Sequence, residues 1–499
     1  MTREELIEEN AKLKEQNTLQ QQQISQQEQK YNALQEQFNQ ILKLIHGFKS
    51  EKLNRTDIDD NQTNLFQELP TGQPEVEQTE SITYERTKKK HNGRNKLPEH
   101  LPVNEVIIEP EEDTTGLVKI GEEITETLEY TPASLVKRRT IRPKYAKADG
   151  NGVLIGNLPS RPIEKSIAEA SLLAYILVSK FVDHLPLYRL IQKFYREYQW
   201  KLAESTLCGW VDGCCKLLDP LYNKLKQKII SSNYIQADES PIKVLDKDKI
   251  RSTHQGYQWV YHSPIDNLVL FDYRKGRGGH GPKEILANYT GYLQCDGYRV
   301  YDKIGQQKGI TLVGCLAHAR RKFYDAQDND AKRAKYALRL FAEIYKLDKE
   351  ISQTFIDDKQ ETQKQRLEKI KPLFEDIKSW IEKESLKVLP KSSIAKAMRY
   401  YIEQYPKLEA ILLDPEIKLD NNLIENKIRP LALGRKNYLF AGSHRAAQNI
   451  AILYSFFASC KANNVNPYQW LNDILEKLPD YNIQNLEKLL PDQWKKTNT

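Results

Sequence analysis

From Ser231 onward, β-rich and helical segments alternate in one particular order, and that order restricts the fold more than anything else in the chain. Tyr234–Ala237, Gly256–His262 and Asn267–Tyr273 read as strands, with a turn at Pro264–Asn267 joining the last two. The glycine-rich run Gly276–Gly281 leads into a helix with Pro282 at its first position. Tyr292–Cys295 is a fourth strand, Tyr298–Ile304 a short helix and Ile310–Cys315 a fifth strand. Residues 326–412 read as long, charged, amphipathic helices that leave this core, and Leu423–Ala458 resumes with helices of more apolar character.

Two of these strands close on an aspartate. Tyr-Ile-Gln-Ala-Asp238 ends the first, and Tyr-Leu-Gln-Cys-Asp296 ends the fourth, its expected parallel neighbour. Glu425 lies near the start of a helical stretch after the fifth strand. Two strand-end carboxylates and a helix carboxylate are what a pair of Mg²⁺ ions needs to drive displacement at a phosphodiester. Glu239, Asp246, Asp302 and Asp420 are the competing acids. A continuing strand turns Glu239 to the face opposite Asp238, and the others fall in loops or helix ends. Strand, strand, strand, helix, strand, helix, strand is the order of the ribonuclease H fold. The expected class is therefore α/β, a mixed five-stranded sheet with a helical insertion.

The 499 residues are enough for several domains, and six are read here. Residues 1–52 contain no proline and carry a heptad seam. Leu6, Leu13, Gln20, Gln27, Leu34, Ile41 and Phe48 recur every seven positions, interleaved by Asn10, Asn17, Ile24, Tyr31, Phe38 and Ile45. Asn10 and Asn17 at one seam position favour a registered parallel dimer, and a glutamine-rich unstructured segment is the competing reading. Residues 53–95 are an acidic linker, and 96–150 a small β subdomain. Residues 160–230 are helical, 231–460 the catalytic domain, and 461–499 a helical tail.

Within the helical part, Leu187–Tyr198 followed by Ser205-Thr-Leu-Cys208-Gly-Trp-Val211 resembles a helix–turn–helix with Ser205 as N-cap. DNA reading and plain helix packing are both open for that pair.

The net charge of +7 is modest, but its distribution is not uniform. Lys137, Arg138, Arg139, Arg142, Lys144 and Lys147 form one run free of carboxylates. Lys427, Arg429, Arg435, Lys436 and Arg445 form another, directly after Glu425. Clustering of this kind suits a phosphate backbone. The six cysteines have no framework spacing, no signal peptide precedes them, and the apolar runs Ser171–Val178 and Ile450–Cys460 are too short to span a bilayer. The expectation is a cytoplasmic protein, nucleoid-associated when bound to DNA, with no membrane partner. No Gly-Lys-Ser/Thr follows Gly276–Gly281, which disfavours an ATP site. Cys315 and His318 offer two ligands without a second pair, which disfavours a closed zinc site and leaves His318, Arg320 and Arg321 near the active site or phosphates.

Four motifs together carry a family resemblance. They are Ala-Asp-Glu-Ser-Pro at 237–241, Cys-Asp-Gly-Tyr at 295–298, Cys-Leu-Ala-His-Ala-Arg-Arg-Lys-Phe at 315–323, and the stretch from Asp420 to Ser443. The chain resembles transposases of the insertion sequence 66 family over nearly its whole length. The resemblance implies a DDE transposase with Asp238, Asp296 and Glu425 in the catalytic, metal-holding positions. Two Mg²⁺ ions, with Mn²⁺ as a substitute, are the implied cofactors. DNA is the implied partner, as transposon ends and target, together with a second copy joined through the coiled coil and accessory proteins of the same element. Cys315 and His318 match a Cys-x-x-His signature of several DDE groups. The family also has a small zinc module, and here the chain departs. Asp113-Thr-Thr-Gly116 and Lys147-Ala-Asp-Gly150 stand where cysteine pairs are usual, so no zinc is expected and DNA contact there falls to Arg142 and Lys144. Arg429, Arg435 and Lys436 are the expected phosphate contacts beside the metals. Two other classes remain in view: a catalytically silent DNA-binding and dimerising regulator, and a ribonuclease H-like nuclease.

Overall fold

The computed structural model describes residues 160–246 and 253–494, two short strands, residues 135–136, and scattered positions between 16 and 38. Those scattered positions are helical and exposed, Tyr31, Leu34 and Phe38 among them. The rest of the expected coiled coil, the linker, Arg142 and most of the β subdomain lie outside the described residues. From that subdomain come β1 (Lys144–Ala146) and β2 (Val153–Ile155), an antiparallel pair that includes Lys144.

Three helices precede the main sheet: α1 (Ala170–Phe181), α2 (Leu187–Tyr198) and α3 (Glu204–Ile230). The start of α3 corrects one expectation. Ser205 is not its cap; Ala203 occupies that position and the helix opens on Glu204 without a side-chain cap. Along its 27 residues α3 buries Leu207, Trp210, Val211, Cys214, Leu218, Leu221, Leu225 and Ile229. Those positions recur at three- and four-residue intervals, so a single stripe faces the core from end to end.

The sheet contains β3 (Tyr234–Leu245), β4 (Thr253–Ser263), β5 (Leu268–Arg274), β6 (Gly291–Gln294) and β7 (Ile310–Val313), in the order β5-β4-β3-β6-β7. β3 pairs antiparallel with β4, and β4 with β5, whereas β6 and β7 run parallel to β3. Between the strands lie α4 (His280–Ile285) and α5 (Arg299–Ile304). Pro282 is the third residue of α4, not the first. The alternation of strands and helices is as expected, but β3 is far longer than Tyr234–Ala237. Its burial explains both halves: Tyr234–Ala237 are buried without alternation, as in a sheet covered on two sides. Beyond them Ile242 and Val244 are buried while Pro241 and Lys243 are exposed.

After β7 come α6 (Leu316–Tyr324), α7 (Ala331–Thr354), α8 (Lys359–Lys369), α9 (Lys371–Glu384) and α10 (Ser393–Glu409), which share a second apolar core built on residues such as Phe323, Phe341, Phe374, Ile377 and Tyr401. Asp330, Asp358 and Ser392 cap the starts of α7, α8 and α10 through their side chains. The buried Arg366 of α8 reaches Asp348 at 2.8 Å and the carbonyls of Pro415 at 3.1 Å and Ile417 at 2.9 Å. It thereby fixes the segment that returns to the sheet.

That segment leads to α11 (Asn422–Tyr438), then α12 (His444–Ala462) and α13 (Pro467–Lys477). α12 lies on the edge strand β5. Its Ser455 and Ser459 hydroxyls accept the amides of Phe271 at 2.7 Å and Val269 at 2.9 Å, satisfying a sheet edge that would otherwise be open. No helix among the described residues is long and apolar enough to cross a membrane.

Candidate active site

The parallel pairing of β3 with β6 sets the first half of the site. Tyr234 lies opposite Tyr292, Ile235 opposite Leu293 and Gln236 opposite Gln294. Two residues past that last pair, on each strand, come Asp238 and Asp296. Asp238 is thus not at the end of its strand. It sits where β3 loses its parallel neighbour but continues against β4. Neighbouring strands are about 5 Å apart, so the two aspartates emerge side by side at the end of β6.

Beneath them lies a buried amide lock. Gln236 Nε2 donates to Gln294 Oε1 at 2.9 Å and to the Asp420 carbonyl at 3.1 Å. Gln294 Nε2 donates to the carbonyls of Gly314 at 3.0 Å and Lys418 at 2.8 Å. The Tyr234 hydroxyl donates to Gln294 Oε1 and accepts the Lys418 amide. The segment 418–420 is therefore stitched to β3 and β6, and α11 starts two residues later with Glu425 in its first turn.

The three carboxylates sense one another. Burial pushes Asp238 well above the usual carboxylate range, reinforced by Glu239, Asp296 and Glu425 and opposed by the Glu239 amide donated to Asp238 Oδ1 at 2.7 Å. Burial also raises Glu425; Asp420 and Asp296 add to the rise, while His318 and Arg321 oppose it. None of the three carboxylates has a Lys or Arg ion-pair partner among the described residues. Asp296 Oδ1 instead accepts the Tyr298 amide at 2.9 Å.

An all-oxygen donor set with uncompensated charge suits a hard divalent cation. The set is not a ready-made cage, however. Among the described residues, no group of three or more His, Cys, Asp or Glu side chains is arranged to hold a metal ion. Like charges repel, and the opposing influence of His318 and Arg321 acts only on the Glu425 side.

The competing acids are all occupied. Asp420 accepts the Tyr345 hydroxyl at 2.9 Å and the Asn422 amide at 3.1 Å, so it orders the start of α11. Asp302 pairs with Lys407. Asp246 lies 3.7 Å from His444. Glu239 is the exception that sequence reasoning set aside. Its carboxylate is 3% exposed and takes two bonds on Oε1 from Arg277, at 2.9 and 2.6 Å, while the buried Tyr301 hydroxyl also favours its ionised form. Burial raises its pKa, Arg277 opposes the rise and Asp296 adds to it, so Glu239 is a fourth acid at the edge of the same cluster. Arg277 stacks 4.2 Å from the Tyr298 ring centroid, and the Tyr298 hydroxyl donates to the Arg277 carbonyl at 3.0 Å. The Gly276–Gly281 loop is thereby tied to the Asp296 turn. The one sequence signal for Arg277 was its place in that glycine-rich run.

On α6, Cys315 is the N-cap residue and is buried; its sulfur accepts the Asn421 amide at 3.5 Å. Burial pushes the thiol far up, so it serves as packing and hydrogen-bond acceptor. His318 and Arg321 act electrostatically on Glu425, and His318 Nδ1 is buried without a partner among the described residues. Arg320 lies on the same helix, half-buried. On α11, Arg429 and Lys436 are exposed. Arg435 is different: half-buried, it donates to the Pro241 carbonyl, so its guanidinium is engaged with β3 and not turned outward to phosphates.

Comparison with known proteins agrees with this frame. Residues 165–449 match the family described as "Transposase IS66 family", residues 455–491 the "IS66 C-terminal element", and residues 33–106 the "Transposase C of IS166 homeodomain". The uncharacterized protein y4jD of Sinorhizobium fredii is 33% identical over 483 residues, which is 91% of this chain and 93% of that protein. The uncharacterized protein y4qI of the same organism is 31% identical over 477 residues, 90% of this chain and 87% of its own. With the matched region spanning the sheet, the helical region after it and the three carboxylates, the chain belongs to the insertion sequence 66 family of transposases.

Proposed function

We propose that the protein is a DDE transposase with a ribonuclease H-like core, cutting DNA at the ends of its element and joining them to a target. The observation that carries the reading is the convergence of Asp238, Asp296 and Glu425 into one electrostatic group, none of whose members forms an ion pair with Lys or Arg among the described residues. Two Mg²⁺ ions, or Mn²⁺ in their place, would be held by these three residues and would supply water activation and leaving-oxygen stabilisation.

The chain's own residues do the rest. The Gln236–Gln294 lock fixes Asp238, Asp296 and the start of α11 relative to one another. Arg429 and Lys436, exposed on α11 one and three turns beyond Glu425, bind phosphates along the DNA track. Arg321 brings positive charge to the Glu425 side, beside His318, where negative charge develops on the phosphoryl oxygens. Asp420 and Cys315 are positioning residues that hold the start of α11. Residues 1–52 pair two copies as a coiled coil so that two ends are held together. Residues 96–150 act as a β module without zinc, Arg142 and Lys144 contributing phosphate contacts. Residues 160–230 are a helical domain, 231–460 the catalytic domain with its insertion at 326–412, and 461–499 a helical tail.

Purified protein incubated with a supercoiled plasmid carrying the DNA that flanks the gene tests this directly. Mg²⁺-dependent nicks at the element ends and joined products are expected, and Asp238→Asn should abolish both while retaining DNA binding. Nicks without joining would indicate a nuclease. Metal-dependent cleavage that persists in purified Asp238→Asn protein would overturn the catalytic assignment.

A further inference from the structure

We infer that α2 is a major-groove reading helix, and that the face formed by Arg189, Gln192 and Arg196 recognises the sequence of a DNA duplex. The proposal rests on the transposase reading only for the choice of DNA. Its physical basis is independent of the carboxylates.

The sequence suggested a helix–turn–helix made of α2 followed by α3, with DNA reading and plain packing both open for the pair. The structure places the pair differently. α3 gives one stripe along its whole length to the core beside α12 and β5, and its exposed side carries Glu204, Cys208 and Asp219 as well as Lys216, a mixed surface poorly suited to DNA. α2 packs chiefly on α1 and α3 and presents its outer side to solvent. The five residues 182–186 join α1 to α2, closed by amide bonds from Asp183 to Val178 at 3.1 Å and from Leu185 to Ser179 at 2.9 Å. The helix–turn–helix is therefore α1–α2, with α2 as its second helix.

The pattern on α2 is strongly two-sided. Leu187, Leu190 and Phe194 are buried. Phe194 sits in an aromatic cluster with Tyr175 at 6.1 Å and Trp200 at 5.5 Å between ring centroids, which anchors the helix rigidly. Arg189, Gln192 and Arg196 repeat the same three-then-four spacing and, at 3.6 residues per turn, fall on the opposite side. All three are exposed. Arg189 and Gln192 have no hydrogen-bond or ionic partner among the described residues, and Arg196 has only a 3.3 Å approach to its neighbour Glu197. Tyr188 and Tyr195, 65% and 49% exposed, lie to one side of the row, about 80° around the helix.

Arginine reads guanine and glutamine reads adenine through paired hydrogen bonds in the major groove, which is wide enough for a helix. The exposed tyrosines offer apolar and hydroxyl groups to the backbone and to thymine methyl groups. Of the two tyrosines, Tyr195 also carries Lys201 Nζ 5.9 Å over its ring centroid, which adds a further cation beside the row. Lysine-rich surfaces bind phosphate by charge alone, whereas this row carries planar, directional donors.

Binding measured without divalent ions separates this proposal from the catalytic one. The probes are a duplex of the DNA flanking the gene and a scrambled duplex of equal length and composition. Wild-type protein should prefer the flanking duplex. In Arg189→Ala/Gln192→Ala/Arg196→Ala protein that preference should fall by roughly 5- to 150-fold for each base-reading side chain removed. Because the three side chains are exposed, the melting temperature should stay within about a degree of wild type. Arg189→Lys/Arg196→Lys protein keeps the charge and should keep wild-type affinity for the scrambled duplex and its salt dependence, yet lose preference for the flanking one. Wild-type preference in either variant, or no preference in the wild type itself, overturns the assignment. Neither result bears on cleavage.

Discussion

Two layers of the same pair of strands, two residues apart, handle buried polarity in opposite ways. At Gln236 and Gln294 the side chains are neutral, fully buried and bonded to one another, to Tyr234 and to backbone carbonyls far along the chain. At Asp238 and Asp296 the groups are ionisable carboxyls, less buried and without cationic partners among the described residues. A satisfied amide network rigidifies a fold, whereas an uncompensated carboxylate pair destabilises it. A fully bonded amide layer therefore lies directly under the place where burial costs the carboxylates most. Such strain persists where surrounding structure over-determines it and where an added ligand relieves it.

The sharpest way to break the contrast is to disable the lower layer. Gln294→Leu would leave the Gly314 and Lys418 carbonyls without this donor and the Tyr234 hydroxyl without its acceptor. Urea denaturation should register a loss of about 2–4 kcal/mol. Cleavage at a temperature where the variant is folded should fall about tenfold or more, because Glu425 is positioned through the same bonds. A loss below about 1 kcal/mol would mean that the lock is not what stiffens the site.

A smaller effect is expected at the margin of the upper layer. Arg277→Ala removes the cation from the buried Glu239, half of whose pair is solvent-exposed. Destabilisation of about 1 kcal/mol is expected, and Glu239→Gln in the same chain should recover most of it. Additive effects of the two substitutions would show that the pair is not coupled.

The smallest expected signal is the most diagnostic of the comparison. Because the folded-state pKa of Asp238 is raised, the native state holds its proton more tightly than the unfolded state does. This group therefore costs nothing below the ordinary aspartate range near pH 4, and lowers stability as pH rises through and above that range. In EDTA, Asp238→Asn should melt roughly 2 °C above wild type at neutral pH, with the gap closing as pH falls toward 4. Mg²⁺ should raise the wild type and erase the difference. A gap unchanged by pH and Mg²⁺ would show that charge at Asp238 is not the source of the cost.

Much of this arrangement is legible in the residues alone. The repeated Tyr-x-Gln-x-Asp pattern predicts two equivalent strands, and the structure pairs them residue for residue. The helices after β7 are visible in their spacing; Phe374, Ile377 and Ile381 of α9 are buried at three- and four-residue intervals. Arg277 is not legible, since its meaning depends on Glu239, a partner 38 residues away on another element. Arg435 misleads in the opposite sense: it lies in a basic run suited to DNA and yet donates to the backbone of β3.

What the amino-acid sequence determined by itself was local and periodic: which segments are strands or helices, which side of each is apolar, and where acids and bases fall along them. Tertiary structure alone decided which apolar side is covered and by what. α2 and α3 are both amphipathic, yet the apolar stripe of α3 is covered by α12 and the sheet while that of α2 packs chiefly on α1 and α3. Likewise the joining of Gln236 to Asp420 across 184 residues belongs to the packed chain, since hydrogen bonds between distant segments exist only after the core has brought those segments together.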